Sequence, residues 1–186
     1  MVNCDERFFI CALLEDNSYI FSFLAMKVYK GRLSYLPVQS NRNNNDTVDD
    51  RLHEEVTIPP LDKPVPSDWE VLETDFLFFS AILPSHLGAT FIVDPKTPLG
   101  SGEITLAFVR KGATRMDLLK IMKNAEDPIT QHPKFEILKV QAFRLEPLCS
   151  SGILTVDGEV VDYGPIQAHV MPSVARVMAL PHTPRK

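Results

Sequence analysis

Hydrophobic and polar positions divide the chain into stretches of different character. Near the start, FFICALL and YIFSFLAM are apolar runs separated by Glu15, Asp16 and Asn17. Each falls short of the about 20 apolar residues that cross a bilayer, so one or two packed helices are expected. In YKGRLSYLPV, Leu33 and Tyr35 alternate with polar neighbours, as in a strand that ends at a proline. From about Asn41 to Ser67 the chain turns polar, then acidic, then proline-rich, which predicts a flexible excursion.

The densest apolar part follows. WEVLETDFLFFSAIL reads as one or two buried strands and TFIVDP as a short one. In EITLAFVR, Ile104, Leu106 and Phe108 alternate with Thr105, Ala107 and Val109, so the two faces of this strand meet different surroundings. TRMDLLKIMKNAED is the clear helix: Thr114 can cap it, Asp117 holds the capping-box position, and Leu118, Ile121, Met122 and Ala125 recur at helical spacing. KFEILKVQAFRLEPL, ILTV and EVVD return to strands. Asp157-Gly158 between the last two is the strongest hairpin signal in the sequence. The tail beyond Pro172 is expected to fray.

Many strands, one prominent helix and no βα alternation predict a mainly β (α+β) fold, an antiparallel β-sandwich or open barrel carrying that helix. The expected organisation is an apolar segment over 1–27, the β domain over 28–172 with its flexible insert at about 41–67, and a tail over 173–186.

Composition narrows the function classes. At 186 residues, with 45% hydrophobic and 23% charged residues and a mean hydropathy of -0.03, one domain with an appendage is expected. The net charge of -5 and the scattered Lys and Arg offer no field for a nucleic-acid backbone. Cys4, Cys11 and Cys149 form no C-x-x-C pair and suggest free thiols in a reducing compartment. Asp5 and Glu6 precede the first apolar run where a signal peptide would be basic. His53, His86, His132, His169 and His182 are too far apart for a compact metal motif. Asn45-Asp46-Thr47 fits a glycosylation sequon, which means little without export.

Candidate chemistry is sparse. None of the eight glycines are adjacent, and Gly100 and Gly102 fit a plain turn before a strand better than a phosphate cradle. Ser85 and His86 are neighbours whose side chains would diverge on a strand, which disfavours a nucleophilic dyad. His132, before a proline, suits a surface loop. The face made by Leu118, Ile121, Met122 and Ala125 suits an ordinary core or the wall of a lipid tunnel, and pattern alone does not separate the two. TVDGEVVD presents two carboxylates and a bare glycine backbone. A solvated type I′ hairpin accounts for it, as does a contact to a nucleotide, a magnesium ion or a polar head group.

AFRLEPLCSSGILTVDGEVVDYGPIQAHVMP resembles the C-terminal end of sphingosine kinases, within the diacylglycerol-kinase-like lipid kinases. YKGRLSYLP, SDWEVLETDFLFFSAILPSHLGATF and GEITLAFVRKGATRMDLLKIM resemble earlier segments of the same family, in the family's order, from about Val28 to Pro172. The resemblance implies the C-terminal β-sandwich domain of a two-domain kinase that uses ATP and Mg2+ to phosphorylate the primary hydroxyl of a sphingoid base. It implies nucleotide contacts at Asp157, Gly158 and Glu159. It implies a lipid tunnel lined by Phe78, Leu87, Phe91, Val109, Leu118, Ile121, Met122 and His132, with Ala107 where the family can carry a larger aromatic. The family's glycine-rich phosphate loop, catalytic base and head-group carboxylate belong upstream of YKGRLSYLP, so no catalytic or metal residue is assigned here, and Met1 to Met26 departs from the family pattern. The implied partners are the sphingoid lipid, an N-terminal nucleotide-binding domain and, transiently, a membrane surface, on a cytoplasmic protein. A non-catalytic sphingolipid-binding fragment, or a ceramide or diacylglycerol kinase, remains as an alternative.

Overall fold

The computed structural model describes residues 27–38, 56–85, 92–95, 97, 101–123, 133–157 and 159–171, without the side chains of 121–123. The two apolar runs near the start, most of the polar stretch, Leu87, Phe91, Ala125, His132, Gly158, the tail and the side chains of Ile121 and Met122 lie outside the described residues.

Among the described residues, seven strands and one helix follow in the order β1 (Tyr29–Pro37), β2 (Glu70–Ile82), β3 (Ile104–Arg110), α1 (Arg115–Lys123), β4 (Glu136–Pro147), β5 (Leu154–Val156), β6 (Glu159–Val161) and β7 (Ile166–His169). All strand pairings are antiparallel. β2 gives its first half to β1, from Glu70 to Phe76, and its second half to β3, from Phe76 to Ile82. β4 does the same in reverse, pairing with β3 from Glu136 to Val140 and with β1 from Val140 to Pro147. Because β1 pairs with both β2 and β4, the four strands close into a ring, and β7 extends it along β4 from Ala142 to Leu145. The mainly β, antiparallel architecture is as the pattern predicts, and closure is the added finding. It follows from length: a strand of 13 or 12 residues can turn a corner and serve a different neighbour at each end.

The corner in β2 is a bulge. Phe76 opposes Arg110 and Phe78 opposes Val109, so Leu77 is an extra residue without a counterpart. The bulge reverses the strand's parity. Leu72 and Phe76 face the ring interior before it, and Phe79 and Ala81 face the interior after it.

The ring encloses an aromatic core. Phe76 meets Phe79 and Phe108 edge-on, each at 5.7 Å, and Phe79 lies 6.0 Å from Phe143. Leu33, Leu106, Val140, Leu145 and Leu154 fill the remainder. Gly31 lets this core close at the corner, since a Cβ there would come within 3.3 Å of the Phe76 ring.

The helix begins as its sequence predicts. The Asp117 amide donates to Thr114 Oγ1 at 3.2 Å, and Asp117 Oδ2 accepts from the Thr114 amide at 2.8 Å. That backbone hydrogen bond, with the Thr114 hydroxyl second, holds the Asp117 carboxyl below its usual range.

The proline-rich end of the polar stretch is anchored. Arg144 is buried on β4 and donates to the carbonyls of Lys63 at 2.6 Å, Pro60 at 3.0 Å and Pro59 at 3.1 Å, and to Gln167 Oε1 at 2.9 Å. One guanidinium thus collects three carbonyls of this stretch, with Gln167 Nε2 of β7 also donating to Pro59 and the Lys63 amide to Pro60, each at 3.0 Å.

Candidate functional site

β3 is buried on both faces, and the faces differ. Ile104, Leu106 and Phe108 point into the ring. On the other face, Ala107 and Val109 form a second apolar cluster with Ile82, Val93, Ala113, Phe135 and Leu118 of α1, against which Leu77, Phe78 and Ile137 pack. The capping of α1 at Thr114 sets Leu118 one turn in, where it is 1% exposed, while Met116 and Leu119 face outward at 61% and 43%.

Three of the residues assigned to the lipid wall by sequence resemblance therefore lie together: Phe78, Val109 and Leu118. Phe78 and Val109 are directly paired across β2 and β3. Phe78 also meets Phe135 edge-on at 5.7 Å, just before β4. Leu87, Phe91 and His132 are outside the described residues, as are the side chains of Ile121 and Met122. Sequence reasoning missed Ser80, Ile82, Val93, Ala113 and Phe135. Ser80 and Ile82 were within reach, because they follow Phe78 at the strand period of two.

One edge of this layer is fixed by charge. Lys139 Nζ lies 2.9 Å from Asp94 Oδ2, 3.1 Å from Glu103 Oε1 and 2.9 Å from Thr105 Oγ1, and it also donates to Thr97 Oγ1. Asp94 follows Val93, which is wholly buried in the layer, so the ammonium holds the segment that supplies part of the apolar wall. Because Lys139 and both carboxylates are mostly screened from water, removing the ammonium would leave two poorly solvated negative charges at this edge.

The Asp-Gly hairpin lies elsewhere. Val156 pairs with Glu159, which leaves a two-residue turn, and Asp157 takes a φ of 49° as a type I′ turn requires. The hairpin is rooted in the ring, where Leu154 is buried and Tyr163 packs against the core. Gly152 sits under the Tyr163 ring so closely that any Cβ would overlap it. The tip is exposed, with Val160 at 71% and Val156 at 42%. Asp157 and Glu159 have no hydrogen-bond or ion-pair partner among the described residues. The hairpin's root, Leu154, belongs to the ring core and not to the α1 layer.

No protein-family model matches the chain. It is 41% identical to human sphingosine kinase 2 over 127 residues, covering 67% of this chain and 19% of that protein. It is 34% identical to human sphingosine kinase 1 over 156 residues, covering 80% of this chain and 41% of that protein. The chain thus spans less than half the length of either relative. Among solved structures, a proposed diacylglycerol kinase from Bacillus anthracis matches 86% of this chain and 46% of its own at 9% identity, with a TM-score of 0.43, too loose a likeness to carry an argument.

Proposed function

We infer the role of this chain from its membership: it belongs to the sphingosine-kinase-like family of lipid kinases. Its task is to hold the hydrocarbon tail of a sphingoid base beneath α1 and to present one wall of the nucleotide cleft. The observation that carries this reading is the gathering of Phe78, Val109 and Leu118 into one apolar layer, outside the ring core that holds the fold together.

In the complete kinase the γ-phosphoryl of ATP passes to the primary hydroxyl of the sphingoid base, with Mg2+ and a carboxylate base. Such transfer depends on positioning and charge stabilisation. Burying the tail supplies the positioning, since each methylene removed from water contributes about 0.8 kcal/mol. Asp157, Gly158 and Glu159 are the residues of this chain that would contact the nucleotide. The phosphate-binding loop and the base come from a nucleotide-binding domain outside these 186 residues. The site draws its lipid from a membrane surface, which the protein meets transiently from the cytoplasm.

The test uses the purified chain with sphingosine and labelled ATP. Saturable sphingosine binding without sphingosine phosphate is expected. Appreciable product would overturn the division of labour, and absence of lipid binding would overturn the tail-holding role.

A further inference from the structure

Beneath α1, β2 contributes Phe78, Ser80 and Ile82 in alternation, opposite Val109, Ala107 and Thr105 of β3. Two hydroxyls lie in these rows, and they are treated differently. Thr105 Oγ1 accepts a hydrogen bond from Lys139 Nζ at 2.9 Å. Ser80 is only 1% exposed, and its Oγ has no hydrogen-bond partner among the described residues. Its neighbours along the strand are Phe78 and Ile82, and across the sheet it meets Ala107, whose side chain ends at Cβ. Among the described residues, Ser80 and Ala107 are thus the smallest facing pair of these rows, and the one with an unanswered polar atom.

A buried hydroxyl without a partner destabilises a fold, and an alanine or valine would fill the position without that cost. A saturated tail lying on this wall would leave the hydroxyl as unanswered as before. A hydroxyl carried within the tail could accept a hydrogen bond from it or donate one to it. We propose that Ser80 is a specificity-determining residue, whose Oγ hydrogen-bonds a hydroxyl within the hydrocarbon chain of the bound lipid. The layer thereby favours in-chain-hydroxylated long-chain bases over plain ones of equal length. This rests on the reading of the layer as the tail site.

The probes are saturated long-chain bases of one length: unhydroxylated, or hydroxylated close to the head group, at mid-chain or towards the tail end. Their affinities for the full chain are read by displacement of a fluorescent long-chain amine. One hydroxylated probe is expected to bind about fivefold tighter than the plain base, the ordinary return from one neutral hydrogen bond. The position preferred reports how deep Ser80 lies. Ser80→Ala should abolish the preference and raise the melting temperature, since it removes an unsatisfied group from an apolar layer. Equal affinity across the series, a preference that survives Ser80→Ala, or a lowered melting temperature in that variant would each overturn the proposal while leaving the tail site standing. Failure of the wild-type chain to bind any of the bases would overturn the tail site and this proposal with it.

Discussion

The two faces of β3 are built from one short strand, yet they are packed on different terms. The inward face meets Phe76, Phe79 and Phe143, and interlocking rings fill the enclosure. The outward face offers Ala107 and Val109, adds Ala113, and leaves the Ser80 hydroxyl unanswered beneath a single helix. A face that only had to hold the fold together would gain from larger and wholly apolar residues. The contrast is what the proposed division of labour requires, with stability in the ring and the proposed lipid binding in the layer.

The largest test of this contrast is Phe108→Ala. Emptying the aromatic centre should cost about 3–5 kcal/mol of stability, measured by denaturant unfolding. Where the variant is still folded, sphingosine affinity should stay close to that of the wild type. A loss of affinity in the folded fraction would mean that the two faces are not separable.

Arg144→Met should come next, at roughly 2–3 kcal/mol, because it removes the guanidinium from three carbonyls and leaves that of Lys63 without its donor, while Pro59 keeps Gln167 Nε2 and Pro60 keeps the Lys63 amide. Limited proteolysis should then cut within 58–66, with lipid binding unchanged. Protection equal to the wild type would show that the arginine does not hold this segment.

Val109→Ala makes the opposite change to Phe108→Ala on the neighbouring residue. It should cost only about 1–2 kcal/mol of stability and weaken sphingosine binding by roughly tenfold, through loss of apolar contact. Equal effects on stability and binding from Val109 and Phe108 would erase the distinction.

Asp157→Asn with Glu159→Gln should leave stability within about 0.5 kcal/mol, since both side chains are exposed and without partners. The same pair placed in a complete kinase should raise the KM for ATP and leave lipid affinity alone. An unchanged KM would return the turn to an ordinary hairpin.

A test confined to alkaline pH concerns Tyr35, inside the ring. Burial, reinforced by its 2.6 Å hydrogen bond to Glu70, pushes its phenol up to about 12. An unfolded tyrosine titrates near about 10. Tyr35 therefore contributes stability that is complete below about pH 10 and is lost as pH rises through 12. Tyr35→Phe should flatten that part of the stability profile, and an unchanged alkaline slope would contradict the assignment.

Much of this was legible in the sequence, and the illegible parts have identifiable causes. The alternation in EITLAFVR predicted two unlike faces, and the capping box at Thr114 and the Asp157-Gly158 turn formed as their residues dictate. Closure of the ring was hidden by Leu77. Phe76 and Phe79 both face inward although they are three residues apart, which no period of two allows, so the pattern could not say whether β2 was one strand or two. The anchoring of Pro59 and Pro60 depends on an arginine more than eighty positions away, and composition alone suggested a free excursion. Phe78, Val109 and Leu118 came from family resemblance, because an apolar residue in a filled core and one in a lipid wall follow the same pattern. The place of Ser80 on this face follows from the strand period after Phe78, but its missing partner does not, since only packing reveals that a hydroxyl goes unanswered.

The most direct measurement is photolabelling with a sphingosine that carries a photoreactive group in its tail, followed by peptide mapping. The account predicts saturable labelling of Phe78, of the outward residues of β3 and of α1, all competed by unlabelled sphingosine. Labelling concentrated on the β5–β6 hairpin, or spread over the surface without competition, would contradict it.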